Sequence, residues 1–184
     1  MAFGYPVMLD LVGADVLVVG GGAVATRKVA GLVEAGARVT VVAQLVRDDI
    51  VATVVRRRFE PGDVAGRTLV FTCTDDPAVN ADVALACRAA NVWVNSADDP
   101  DNCTFALPAV ARAGRVVVAV GSGGASPALA QHVRDRVATE ILDERVAAAA
   151  EALAAERDAI HAAGGSTEGV DWAARLAALL RDDV

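Results

Sequence analysis

The chain has 184 residues, 54% hydrophobic and 22% charged, with a net charge of −7. That length suits one domain of ordinary size plus an appendage, and it is enough to bury a real core. The acidic balance argues against nonspecific nucleic-acid binding, and no apolar run reaches the ~18 residues that a membrane span needs. The opening residues MAFGYPVMLDL carry an Asp and no basic leader, unlike a secretory signal, so residence in the cytoplasm is expected. The three cysteines, Cys73, Cys87 and Cys103, show no C-x-x-C spacing, which predicts neither a disulfide framework nor a zinc site. Cys73 ends an apolar strand and Cys87 lies in an apolar helix, so both read as small core residues, while Cys103 stays open.

Residues 5–11 (YPVMLDL) read as a strand. The short connection Val12-Gly13-Ala14 then predicts an antiparallel neighbour. Asp15–Val19 is a valine-rich run of the kind buried on both faces of a parallel sheet. Gly20-Gly21-Gly22 follows at once. Val24, Lys28, Leu32 and Ala35 recur at helical spacing up to Gly36, a C-cap. Residues 38–43 form a second buried strand. Gly20, Gly22 and Ala25 fit G-x-G-x-x-A between strand and helix, the dinucleotide fingerprint in its proper context. The first glycine permits the tight turn, the second lets backbone approach a pyrophosphate, and the small third residue lets the helix pack close to the sheet. N–H groups at the helix start then face the phosphates. The competing reading is a glycine turn in an ordinary α/β sheet. The acid that grips the adenosine ribose about 20 residues after the glycines is missing. Gln44 stands there and offers a neutral donor and acceptor, so these residues leave NAD or NADP open.

Residues 53–59 predict a basic edge strand, Pro61-Gly62-Asp63 a turn, and 68–72 a fourth strand. Thr74-Asp75-Asp76-Pro77 caps a helix that runs to Ala90, and residues 91–95 (NVWVN) form a fifth strand. Repeated β-α-β predicts a Rossmann-like, doubly wound parallel sheet of the α/β class. The basic clusters Arg27-Lys28 and 56–58 read either as a solvated edge or as reception of an anionic substrate or cofactor.

Residues 96–102 (SADDPDN) make a polar loop at a strand's C-terminal end, where open α/β sheets put their ligands. Residues 104–110 and 115–120 predict an antiparallel β-hairpin, with Pro108 at an edge or bulge. A second glycine-rich loop, 121–125, leads to Ser126-Pro127, an N-cap with proline at the first helical position. Leu129, Val133, Val137 and Ile141 then form an amphipathic stripe on a long helical stretch that continues to Ala163. Gly164-Gly165 breaks it before a last helix over 168–181. The expected organisation is a dinucleotide-binding Rossmann domain over 1–102, a dimerisation and substrate region over 103–163, and a C-terminal helix over 164–184. The C-terminal helical region is too small for a core of its own. It reads as a homodimer interface, the alternative being that it packs back on its own sheet. His132 and His161 lack a paired ligand at i+3 or i+4, so neither predicts a metal site.

Several segments together resemble one family: YPVMLDL, VLVVGGGAVATRKVAGLVEAGARVTVVA, TDDPAVN, VNSADDPDNCTFALPA and VAVGSGGASPALA. Over residues 5–145 the chain is similar to the N-terminal half of siroheme synthases and to free-standing precorrin-2 dehydrogenases, some of which are also sirohydrochlorin ferrochelatases. The fused methyltransferase half has no counterpart here. The resemblance implies oxidation of precorrin-2, a tetrapyrrole, to sirohydrochlorin with NAD as cofactor, by loss of a hydride and a proton. It further implies Fe²⁺ insertion in some members, and an interlocked homodimer. It places NAD contacts at Ala23 and Val24 after the glycines and at Gln44 and Leu45 after the second strand. Its catalytic aspartate falls in an N-x-x-D segment, making Asp98 the match, and the expected substrate contacts are Asn95, Ser122, Gly123 and Gly124. Gly121 and Ser96-Ala97 depart modestly from the family pattern.

Removing a ring proton while hydride leaves calls for a base near the nicotinamide. If Asp98 and Asp99 converge, their repulsion raises the pKa of Asp98. The alternative is that Asp98-Asp99-Pro100 is merely a turn. Ser122 and its glycines can present N–H groups to a carboxylate as an anion nest, or act as a hinge. Arg112, Arg115, Arg134 and Arg136 are candidates to attract a polycarboxylate to an acidic protein. A regulatory NAD-binding module is the reading from a different class. It predicts an acid ending the second strand and has no need of the motifs at 95–98 and 121–127.

Overall fold

Asp15–Val19 (β1) lies at the centre of a five-stranded parallel sheet in the computed structural model of the chain, which describes residues 4–97 and 99–180. It is followed by α1 (Ala23–Glu34), β2 (Arg38–Val42), β3 (Thr53–Val55), β4 (Leu69–Thr72), α2 (Pro77–Ala89) and β5 (Trp93–Ser96). The strand order is β3-β2-β1-β4-β5, and every pairing is parallel. Successive side chains of a strand point to opposite faces, so the run Val16-Leu17-Val18-Val19 serves two cores at once. Val16 and Val18 join Ala25, Val29 and Leu32 of α1 on one face. Leu17 and Val19 join Val83, Ala84 and Cys87 of α2 on the other. The unbroken valine run is therefore the sequence form of a strand covered on both sides. The sheet is doubly wound, and its strand order reverses direction beside β1, which opens a crevice at the C-terminal ends of β1 and β4.

Two compact units divide the chain at Ala106–Leu107, and the sheet belongs to the first. The segment after β5 still belongs to that unit. Thr104 donates its N–H to the Val94 carbonyl at 2.8 Å, and Phe105 meets Phe71 edge-on at 5.6 Å between centroids. The expected strand over 104–110 therefore starts only at Ala109.

The expected strand over residues 5–11 does not form. Tyr5 is 89% exposed, and both edges of β1 are taken by the ladders to β2 and β4, which leaves no edge for an antiparallel neighbour. The edge strand expected over 53–59 is cut to three residues, Thr53–Val55, because it has a ladder to β2 alone. Beyond it Arg57 turns to a forked ion pair with Asp63, and Pro61–Val64 is a short 3-10 turn. In α2 the cap is Asp76, whose carboxylate accepts from the Ala78 and Val79 N–H groups. Thr74 lies two residues before the cap, bonded to the buried Asn80 in both directions, Oγ1 to Oδ1 at 2.8 Å and Nδ2 to carbonyl at 3.0 Å.

The second unit contains β6 (Ala109–Ala113) and β7 (Val116–Val120), an antiparallel pair, then α3 (Pro127–Glu140), α4 (Glu144–Ala162) and α5 (Trp172–Leu179). The single long helical stretch is thus two helices. Asp143 causes the break: its carboxylate accepts the Val146 N–H at 2.9 Å, starting a new helix where the old one would have continued. Helices α3 and α4 pack on the hairpin. The buried residue of α3 is Ala130, so the stripe Leu129, Val133 and Ile141 faces outward, at 52%, 39% and 58% exposure. Among the described residues no helix is long and apolar enough to cross a membrane.

Leu17 is fully buried between β1's neighbours and α2. Leu17→Ala should lower the unfolding free energy by about 3 kcal/mol, because the close-packed sheet cannot collapse onto the cavity. Urea denaturation followed by circular dichroism measures it, and a midpoint unchanged from the native chain would contradict the packing.

Candidate functional site

The crevice begins at the turn between β1 and α1. Gly20 has φ +117, outside the range of ordinary side chains, and a Cβ there would lie 2.6 Å from the Cys73 carbonyl carbon. Gly21 is as confined: a Cβ would meet the Leu45 carbonyl oxygen and approach Val46 Cα to 2.7 Å. Gly22 is different, with nothing within 4 Å of a Cβ position. Thus two glycines are dictated by protein backbone on either side, and the third opens onto free space. Ala25, the small residue of the fingerprint, is fully buried against the sheet, as its spacing predicts.

That free space lies before the N-terminus of α1. Gly22 is the N-cap, offers no side-chain cap, and the first turn holds no acid. The other described helices, α2, α3, α4 and α5, are each capped by a side chain: Asp76, Ser126, Asp143 and Asp171. The first-turn N–H groups of α1, those of Ala23 and Val24 among them, have no helical acceptor. With the helix dipole behind them they suit an anion, and Ala23 is exposed on this side. The fit to a pyrophosphate rests on this: an uncapped helix start, a glycine with open space before it, and a first turn with no acid of its own.

Across the crevice, Gln44 and Leu45 follow β2, both exposed, Leu45 at 86%. Their backbone is tied to the glycine turn, since the Arg47 N–H donates to the Gly21 carbonyl at 3.0 Å. Gly21, Thr26, Arg47 and Asp49 are residues of this wall that the fingerprint spacing does not reveal. The unbroken triple glycine was the one sequence signal for the first of them.

At the ends of β4 and β5, Thr72 and Ser96 are both buried and share a hydroxyl bond of 2.8 Å. Asn95 donates its amide to the Phe105 carbonyl at 3.0 Å, so part of its polar capacity holds the chain itself. The following loop is wound around Cys103. Its sulfur accepts the Ser96 N–H at 3.1 Å and lies 3.3 Å from the carbonyl oxygens of Ser96 and Asp99. Asp99 in turn accepts from Asn102 at 2.7 Å. Asp98 lies outside the described residues. Burial pushes the thiols of Cys73 and Cys87 up to about 11, and raises that of Cys103 as well. All three are therefore neutral near pH 7, which suits packing and not nucleophilic or metal chemistry. Among the described residues no group of three or more His, Cys, Asp or Glu could hold a metal ion.

Ser122, Gly123 and Gly124 belong to the second unit. The Ser122 hydroxyl accepts the Ser126 N–H at 3.1 Å, and Gly123 and Gly124 adopt φ +61 and +84, which turns the chain into α3. Of the candidate arginines, Arg115 pairs with Glu151, Arg134 with Asp135, and Arg136 with Glu140. Arg112 is exposed.

The strand order, the glycine turn and the uncapped helix define a Rossmann-type dinucleotide-binding protein. Residues 7–109 match a family described as putative NAD(P)-binding. The siroheme synthases of Tolumonas auensis and Methylococcus capsulatus are 40% and 45% identical over 137 and 141 residues, 72% and 73% of this chain. The chain spans 29% and 30% of the length of those relatives. A solved structure described as SirC, precorrin-2 dehydrogenase, superposes with a TM-score of 0.75 at 30% identity, covering 97% of this chain and 90% of its own. The chain belongs to the precorrin-2 dehydrogenase family, within the NAD(P)-binding fold.

Substitution separates the two kinds of glycine. Gly22→Ala should leave the thermal midpoint unchanged yet weaken dinucleotide binding by about tenfold, the worth of one charge-assisted hydrogen bond. Gly20→Ala should instead destabilise the fold by about 1–3 kcal/mol through its backbone strain. Scanning calorimetry with cofactor titration checks both, and equal effects of the two substitutions would refute the distinction.

Proposed function

We propose that the chain is an NAD-dependent precorrin-2 dehydrogenase that converts precorrin-2 to sirohydrochlorin. The observation that carries this reading is the uncapped start of α1 behind an open glycine, on a chain matched over 97% of its length by a precorrin-2 dehydrogenase. Gly22, Ala23 and Val24 receive the cofactor's pyrophosphate, Gly20 shapes the turn and Ala25 lets α1 pack close to the sheet, and Gln44 and Leu45 border its adenosine. The bound nicotinamide supplies the acceptor for the hydride that leaves the macrocycle. Asp98 takes the accompanying proton. Supporting that role, the neighbouring Ala97 N–H is bonded to the Thr72 carbonyl at 3.0 Å, which holds the start of the loop at the sheet's C-terminal edge. Asn95 positions the loop, and the turn at Ser122, Gly123 and Gly124 in the second unit is the candidate nest for a carboxylate.

The chain acts as a homodimer in this reading. The apolar stripe Leu129, Val133 and Ile141, exposed in the single chain, is the support for it, since a row of large apolar side chains costs free energy in water until covered. Light scattering of the purified chain should give twice the chain mass, and a strictly monomeric protein at micromolar concentration would oppose it.

With precorrin-2 and NAD⁺, the native chain should generate NADH absorbance, while Asp98→Asn should lower kcat by about a hundredfold or more and leave the Kd for NAD⁺ little changed. Full activity in that variant would remove Asp98 from the mechanism. Tight NAD⁺ binding without any turnover by the native chain would favour a regulatory module. Adding Fe²⁺ to the sirohydrochlorin formed tells whether the same protein also inserts the metal.

A further inference from the structure

The loop between β2 and β3 returns to the glycine turn and brings charge with it. From its N–H bond to Gly21, Arg47 reaches Asp49 in a forked pair, Nε to Oδ1 at 3.0 Å and Nη2 to Oδ2 at 2.8 Å. Asp49 Oδ1 also accepts the Thr26 hydroxyl at 3.2 Å, and that hydroxyl lies 3.2 Å from the Gly22 carbonyl. A run of close polar contacts therefore leads from Gly21 through Arg47 and Asp49 to Thr26, whose single hydroxyl hydrogen serves either Asp49 or the Gly22 carbonyl. It joins the phosphate turn to the adenosine side of the crevice. The hydrogen bond from Arg47 holds the Asp49 carboxyl below the usual carboxylate range, so the pair is fully charged near neutral pH. Both side chains stand half in solvent, at 55% and 49% exposure.

The chemistry of the cofactor makes this place decisive. Beyond the second strand of this fold lies the adenosine ribose, which carries a 2′-hydroxyl in NAD and a 2′-phosphate in NADP. An arginine there accommodates the phosphate, and an acid excludes it. Neither ends β2, where Gln44 stands. Arg47 is the arginine of the loop that follows, and it is already engaged by a carboxylate.

We propose that Asp49 is a specificity-determining residue for the cofactor: by pairing with Arg47 it withholds the cation that a 2′-phosphate needs and sets a carboxylate against it. NAD is thereby taken in preference to NADP. This rests on the crevice being the dinucleotide site. Asp49→Asn keeps an acceptor for Thr26 but removes the charge that neutralises Arg47.

Calorimetric titration of the full chain with NAD⁺ and with NADP⁺ tests this. The native chain should prefer NAD⁺. Asp49→Asn should tighten NADP⁺ binding by about tenfold with NAD⁺ binding little changed, and the gain should shrink as salt screens the contact. Arg47→Ala should weaken NADP⁺ binding further, and adding it to Asp49→Asn should abolish the gain. An unchanged ratio of the two affinities in Asp49→Asn, or a native preference for NADP⁺, overturns the proposal. A native chain that binds neither dinucleotide overturns the crevice assignment beneath it.

Discussion

The close approach of three backbone segments at the top of β1 is the constraint on which the site depends. The turn at Gly20 and Gly21 is pressed between the Cys73 carbonyl on one side and the Leu45–Val46 backbone on the other. No side chain fits at either position. The crevice therefore has fixed walls: the end of β4 on one side, the start of the β2–β3 loop on the other. Gly22 alone in the turn faces open space, and it is there that α1 begins without a cap. A helix start left uncapped exposes donors that water satisfies in the free protein, so a bound phosphate replaces water and not a side chain.

The same economy governs the polar groups around the crevice. Thr72, Asn80 and Ser96 are buried yet bonded, and no described buried side-chain nitrogen or oxygen lacks a partner. Buried polar groups held this way fix loop geometry, since moving any one of them would strand its partner in a poor dielectric. Cys103 works similarly. Its neutral sulfur sits among the backbone groups of the loop after β5 and organises them without bringing charge into the region.

The first unit was largely legible in the residues. Valine runs marked β1 and β2, and the fingerprint spacing marked the turn and the buried Ala25. The misreadings have one kind of cause. Residues 5–11 look like a strand, but a strand needs a free edge, and β1 had none. Residues 53–59 look like a longer strand than the single available ladder supports. Thr104 and Phe105 are apolar enough for the hairpin but are held by Val94 and Phe71 of the first unit. In the C-terminal part, Asp143 stands inside what reads as one continuous helical pattern, and its local hydrogen bond to the Val146 N–H prevails over the period.

The sequence by itself determined the fold class and the dinucleotide turn, because both depend on local rules: side-chain period along a strand, and the need for glycine where backbone crowds backbone. It determined the family likewise, since the motifs lie in contiguous stretches. Only the tertiary structure decided which groups meet across the crevice. Thr26 and Asp49 are 23 positions apart, and Arg47 finds Gly21 only because β2 pairs with β1. Contacts of that kind are set by sheet order and loop path, which no local pattern of residues encodes.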